Sequence, residues 1–208
     1  MRDPVEDDRA LWHSWRDGDR DAGHELYLRH SAAVSRVFVA KLPGAVDDLV
    51  QATFLRALES ARKDRDVQSV RGYLVATARN LLLDAFREAV GPRGRVDPLT
   101  QTLGELQSSL AGAIAGARHQ QALFVALRRL PLDSQLLLEL FYWERMTGDD
   151  LAVALGVPVG TIRSRLRRAR EALRAQMGDL TAEELASLSR RPDFAAWAEA
   201  LRGPSDDS

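Results

Sequence analysis

The side chains through which this chain could do chemistry are arginines. Arg163, Arg165, Arg167, Arg168, Arg170 and Arg174 stand between positions 160 and 177, against the single acid Glu171, in a chain whose net charge is −1. A guanidinium is a planar fork that stays charged, so it bonds guanine O6 and N7 side by side or grips a phosphate. The chemistry offered is recognition of a nucleic acid, not bond-breaking. Ile162, Leu166, Ala169 and Leu173 recur at i, i+4, i+7 and i+11, which predicts one helix with a single apolar stripe. Arg163, Ser164, Arg167, Arg168, Arg170 and Arg174 lie off that stripe. A solvated surface helix would carry a similar charge pattern, so the elements around it matter.

Those elements begin at Thr147. Thr147 followed by Asp150 is a variant of the capping box, and Leu151, Ala154 and Leu155 give a short helix its apolar face. Gly156 ends that helix, Pro158 bars its continuation, and Gly160-Thr161 offers a cap for the arginine-rich one. A short helix, a glycine turn and a basic second helix form the helix-turn-helix pattern, whose second helix enters the DNA major groove.

The chain as a whole narrows the options. Its 208 residues suit one or two domains, and 28% charged with 45% hydrophobic residues is ordinary for a soluble globular protein. No apolar run is long enough to span a membrane, and the polar, acidic start MRDPVEDDRA is not a secretory signal, so a cytoplasmic location is expected. With no cysteine there is no disulfide, no thiol catalysis and no cysteine-ligated zinc. His13, His24, His30 and His119 are scattered without metal-ligand spacing, and no cofactor is expected.

An all-α chain is predicted, since no alternating run suggests a strand. Residues 9–18 form a short helix with Leu11, Trp12 and Trp15 on its apolar side, stopped at Gly18. A longer helix over 21–41 carries Leu26, Tyr27, His30, Val34, Val37 and Phe38, and Pro43-Gly44 breaks it. Asp47 and Asp48 open a third helix with Leu49, Val50, Phe54, Leu55 and Leu58. A fourth, over 70–89, turns Leu74, Ala78, Leu81, Leu82, Ala85 and Phe86 inward and leaves Tyr73, Arg79, Asn80 and Arg87 room to point out. Residues 1–89 thus read as one helical domain.

Residues 90–118 hold five glycines, two prolines and little periodic apolar content, which predicts a flexible linker. Helices over 119–130 and 133–145, the latter capped by Asp133, lead into the helix-turn-helix and complete a second domain, 119–178. In the extension 179–208 seven acids outnumber three arginines; Thr181 and Glu184 make a capping box, and Phe194, Trp197, Ala198 and Leu201 form an apolar stripe.

Two separated stretches carry a resemblance. DDLVQATFLRAL with RGYLVATARNLLLDAFRE resembles region two of the extracytoplasmic-function sigma factors, in the sigma-70 family, and LPLDSQLLLELFYWERMTGDDLAVALGVPVGTIRSRLRRAREAL resembles their region four. With GDRDAGHELYLRH the likeness covers about residues 9–89 and 119–177, and the order and the linker length agree. It implies a subunit, without catalysis of its own, that binds core RNA polymerase and directs transcription initiation at promoter DNA through −10 and −35 elements.

By that resemblance Asp48, Leu49, Gln51, Phe54 and Leu55 lie on the helix that grips polymerase. The loop Asp64 to Ser69, with Tyr73 and Asn80, captures an unstacked −10 base, while Arg71, Arg79 and Arg87 supply charge for the single strand. Thr161, Arg163, Ser164, Arg167 and Arg168 match the −35 readers. Two departures stand out. Tyr73 takes a place where the family usually has tryptophan, which leaves core packing open for it, and Gly148 replaces a large residue.

Two other functions compete. A plain helix-turn-helix regulator, usually a dimer on a palindrome, needs only 119–177 and leaves 45–89 unexplained. A helical hydrolase lacks any nucleophile elbow, phosphate loop or acid–base pair here. The acidic extension has three fates open to it: folding over a DNA-binding domain, docking on an anti-sigma factor, or hanging free.

Overall fold

A computed structural model describes residues 4–39, 41–61, 67–90 and 126–178. Among these the regular structure is helical, and no strand is found. The expected linker, the first part of the 119–130 helix, residues 64–66 of the base-capturing loop and the acidic extension lie outside the described residues.

Helices α1 (Pro4–Arg16) and α2 (Arg20–Val39) form an antiparallel opening pair. The Asp19 carboxylate accepts from the backbone amides of Asp21 and Ala22, at 2.9 and 3.2 Å, and so caps α2. Trp12, wholly buried, stands edge-on to both Trp15 (5.6 Å) and Tyr73 (5.4 Å), so one aromatic cluster joins α1 to the middle of the half. The helix expected over 21–41 stops at Val39, and a 3-10 turn, Pro43–Ala45, follows where Pro43 fixes the backbone. Lys41 is left in the break with its side chain buried. Helices α3 (Val46–Ala61) and α4 (Val70–Val90) then complete the half around Leu26, Val34, Phe38, Leu74, Leu82 and Phe86. Each such side chain, fully buried, contributes about 2 kcal/mol over exposure, which outweighs any surface pair in this half.

Residues 126–128 are helical, and Leu127 and Leu130 are buried. Helix α5 (Leu132–Tyr142), α6 (Gly148–Leu155) and α7 (Val159–Gly178) follow. Asp133 does not cap α5, contrary to expectation. Pro131 holds the cap position without a side-chain bond, and the Asp133 carboxylate turns instead to Arg79 and Arg165. The last helix starts at Val159, ahead of the expected Gly160-Thr161 step, because Pro158 already turns the chain and Thr161 N–H bonds its carbonyl at 2.8 Å.

The sequence does not predict how the two halves meet. Helix α4 packs along α6, and α2 touches α5, so one apolar cluster runs from Trp12 through Leu82 to Leu151 and Leu173. Gly72 sets the closest approach: a Cβ there would fall 2.7 Å from the Asp150 carbonyl oxygen and 2.9 Å from Val153 Cβ. Only glycine lets the helices lie so near.

Candidate nucleic-acid interface

The arginine-rich helix is built as the spacing predicts. Thr147 Oγ1 accepts from Asp150 N–H at 3.2 Å while Asp150 Oδ2 accepts from Thr147 N–H at 3.1 Å, a reciprocal capping box that starts α6. Gly156 ends α6 in the left-handed region (φ +65°), and Val157 N–H reaches back to the Ala152 carbonyl at 3.0 Å. Gly148, the departure noted above, leaves no gap that changes this start: a Cβ there would only touch Val159 Cγ1 at 3.9 Å.

On α7 the stripe Ile162, Leu166, Ala169 and Leu173 is buried, and Arg163, Arg167 and Arg168 are exposed on the other side. Thr161 and Ser164 are half-buried, with Ser164 Oγ donating to the Thr161 carbonyl at 2.9 Å. The remaining arginines are engaged locally: Arg165 reaches Asp133 at 3.1 Å, and Arg170 Nε donates to the Leu166 carbonyl at 3.3 Å. Arg167 Nη1 lies 2.9 Å from Glu171 Oε1, one turn on, but both side chains are more than half exposed, so the pair is worth little and gives way to a ligand. The outcome is a convex, positive helix face, fit for a groove lined with acceptors and phosphates.

The candidates on α4 divide into two groups. Tyr73, Asn80 and Arg87 follow one another at i, i+7 and i+14, so they share a helical face. Asn80 and Arg87 are exposed, and Tyr73 is half-buried, its ring against Trp12. Tyr73 therefore packs into the core on one side and borders that face on the other. Arg87 pairs loosely with exposed Asp84 at 3.2 Å.

Arg71 and Arg79 lie on a different side of α4 and are bound to the other half of the molecule. Arg71 Nη2 donates to the Glu144 carbonyl at 2.6 Å and to its carboxylate at 3.2 Å. Arg79 donates through Nε and Nη2 to Asp133 Oδ1, at 3.2 and 2.9 Å. Ser69, in the expected base-capturing loop, is buried: its hydroxyl accepts from Gly72 N–H at 2.8 Å and donates to the Asp150 carboxylate. Arg79 thus does not point freely outward, as the helical spacing alone suggested.

The polymerase candidates on α3 divide in the same way. Asp48, Gln51 and Leu55 are exposed at i, i+3 and i+7, with Leu55 62% exposed, a large apolar side chain held out in water. Leu49 is half-buried, and Phe54 faces the core, its ring centroid 5.1 Å from Tyr27 and 6.3 Å from Trp15. Phe54 supports the helix from behind rather than presenting itself.

Sequence reading missed the pair beneath this surface. Lys41 Nζ lies 2.6 Å from Glu139 Oε2, with both side chains buried, and Gln135 Nε2 donates to the other Glu139 oxygen at 2.8 Å. The one signal available was Gly72 inside an otherwise regular helix, which marks a close approach. Among the described residues no cluster of histidines and acids could hold a metal.

Comparison with known proteins bears on both halves. Residues 26–90 match the family model for sigma-70 region 2, and residues 120–173 that for sigma-70 region 4. The probable RNA polymerase sigma-C factor of Mycobacterium bovis is 36% identical over 154 residues, covering 69% of this chain and 78% of that protein. The ECF RNA polymerase sigma-E factor of Escherichia coli K12 is 29% identical over 177 residues, 80% and 92% of the two chains. Among solved structures, CnrH in complex with the cytosolic domain of CnrY superposes with a TM-score of 0.60 at 23% identity, over 84% of this chain and 99% of that one. RpoE of Bartonella quintana, in complex with the anti-sigma factor NepR, gives a TM-score of 0.53 at 22% identity, over 76% and 98%. These two structures share the fold.

Proposed function

The chain belongs to the sigma-70 family, as an extracytoplasmic-function sigma factor, and on that premise we propose how its residues divide the work of promoter recognition. Its function is to direct transcription initiation to promoters, in partnership with core RNA polymerase and promoter DNA. Residues 1–89 serve as the region that meets polymerase and the −10 element, 119–178 as the region that reads the −35 element, with 90–118 as linker and 179–208 as extension. Polymerase brings the active site and this chain brings binding, so the work is done in the cytoplasm, beside DNA. No described helix is long and apolar enough to cross a membrane.

One observation carries the assignment of α7: Arg163, Arg167 and Arg168 stand exposed directly opposite a buried apolar stripe. Set into a major groove, Arg167 and Arg168 read guanine edges or hold phosphates, while Thr161 and Ser164 bond near the start of the helix. Tyr73 and Asn80 meet an unstacked base on the α4 face, and Arg71, Arg79 and Arg87 hold the strand's phosphates. Asp48, Gln51 and Leu55 form the contact with polymerase, backed by Leu49 and Phe54. An anti-sigma factor as a further partner suits the same reading, since both solved neighbours carry one of their own.

The test is transcription in vitro. Core polymerase supplied with this chain and fragments of its own genome should start at discrete sites that share −10 and −35 motifs. The starts should vanish on Arg167→Ala with Arg168→Ala. If core gains no start sites while the chain alone binds duplex DNA as a dimer, a plain regulator replaces this reading.

A further inference from the structure

We infer that the free chain competes with its own promoter: acids of the 126–178 half occupy the arginines of α4 that the −10 strand needs. The inference rests on the roles proposed above for Arg71 and Arg79. A phosphate offers a guanidinium two acceptor oxygens and a negative charge. Arg71 already has that arrangement from Glu144, through one carbonyl and one carboxylate oxygen, and Arg79 has it from Asp133, at two donor distances near 3 Å. Arg36 adds a second cation to Glu144 at 3.1 Å, and Ser69 is held by Asp150. Each acid belongs to a different piece of the second half: the first turn of α5, the loop before α6, and the cap of α6. Closure therefore engages all three at once, and separation releases all three.

The contact is built to separate. Its buried centre is the ion pair Lys41–Glu139, and charges taken from water cost several kcal/mol each, a cost returned when the halves part and both groups rehydrate. A permanent seam of the same area would favour apolar side chains. The contact also covers only one of the two reading surfaces, because Arg163, Arg167 and Arg168 remain exposed. The closed chain thus keeps the −35 face ready and withholds part of the −10 face. Polymerase or DNA must draw the halves apart before Arg71 and Arg79 can be used.

Gly72 offers a way to open the contact without touching a charge. Gly72→Ala places a methyl against the Asp150 carbonyl and Val153, which wedges α4 from α6, while alanine suits the interior of α4 itself. The double change Asp133→Asn with Glu144→Gln removes the competing charges instead and guards against misfolding of either variant alone.

Three full-length proteins, their helicity matched by circular dichroism, would be compared by small-angle X-ray scattering. Their affinity for a fluorescein-labelled single-stranded oligonucleotide of mixed sequence would be measured in parallel. Wild type should be compact and bind weakly. Both variants should expand and bind about tenfold tighter, as expected for freeing charged donors to phosphates, and Arg71→Ala with Arg79→Ala in the Gly72→Ala background should cancel the gain. A wild-type chain as extended as the variants, or expansion without tighter binding, would overturn the inference. Failure of promoter-directed transcription, with closure and release still measured, would count against the promoter assignment alone and leave the masking of Arg71 and Arg79 in place.

Discussion

Helices α4 and α7 both carry arginines assigned to DNA, yet they present them differently. On α7 the exposed arginines meet only Glu171, a weak surface partner. On α4 two of the three arginines are bound to acids contributed by the opposite half, at distances of 2.6 to 3.2 Å. The difference lies in the distribution of acids, not of arginines. Helix α7 turns its apolar stripe inward and so keeps its charges in water, whereas α4 lies between α2, α3 and α6 and has little surface that is not shared. A recognition helix at the edge of a fold is open by construction. One at its centre is open only when the fold parts.

Mutations can break this comparison at either end. The largest effect should come from Arg167→Ala with Arg168→Ala, which strips the open helix of two groove contacts. At about 1–3 kcal/mol for each bidentate pair, promoter-directed output measured by run-off should fall about a thousandfold. Helicity and thermal midpoint should stay put, because both side chains are exposed.

Next is Lys41→Met, which leaves the Glu139 carboxylate buried without its counter-charge. The closed arrangement should lose about 3 kcal/mol, read as a lower denaturant midpoint or as expansion in scattering. Lys41→Met with Glu139→Leu should recover most of it, since an apolar pair has no desolvation cost.

A smaller loss is expected from Gly156→Ala, which forces a Cβ into a backbone at φ +65°. The cost of about 1 kcal/mol falls on the turn that aims α7, so −35 affinity should drop with stability.

The smallest effect is on α1. Burial alone would raise the Asp8 carboxyl, but bonding and charge from His30, then from Arg29, outweigh it and hold the carboxyl below the usual range. A carboxyl depressed in the folded state stabilises above its unfolded value and ceases to do so as pH falls through its folded one. Hydrogen-exchange protection of α1 should therefore decline below about pH 4, and Asp8→Asn should remove that dependence.

How much of this was legible depends on how far apart the partners lie in the chain. The Thr147–Asp150 box, the Gly156 stop and the Ile162-to-Leu173 stripe are local devices whose geometry is set within a turn or two, and they stand in the structure as the spacing predicts. The all-α class was legible for the same reason, and both halves of the resemblance are matched by family models. Asp133 was misread because its first-turn position suggests a cap, while two arginines from other helices compete for it and win. Lys41 was invisible: its partner is 98 residues away, and a lysine at a helix end normally implies solvent. Helical spacing says which side of α4 a residue is on, but not that a second half covers that side.

The measurement that tests this account most directly is the rate at which each arginine reacts with phenylglyoxal, followed by peptide mass spectrometry. It would be run on the free full-length chain and again on the complex with core polymerase and promoter. In the free chain Arg163, Arg167 and Arg168 should react fast and Arg71 and Arg79 slowly; in the promoter complex the three α7 arginines should become protected. Arg71 and Arg79 reacting as fast as Arg167 in the free chain would contradict the closed arrangement, and unprotected α7 arginines in the complex would contradict their place in the groove.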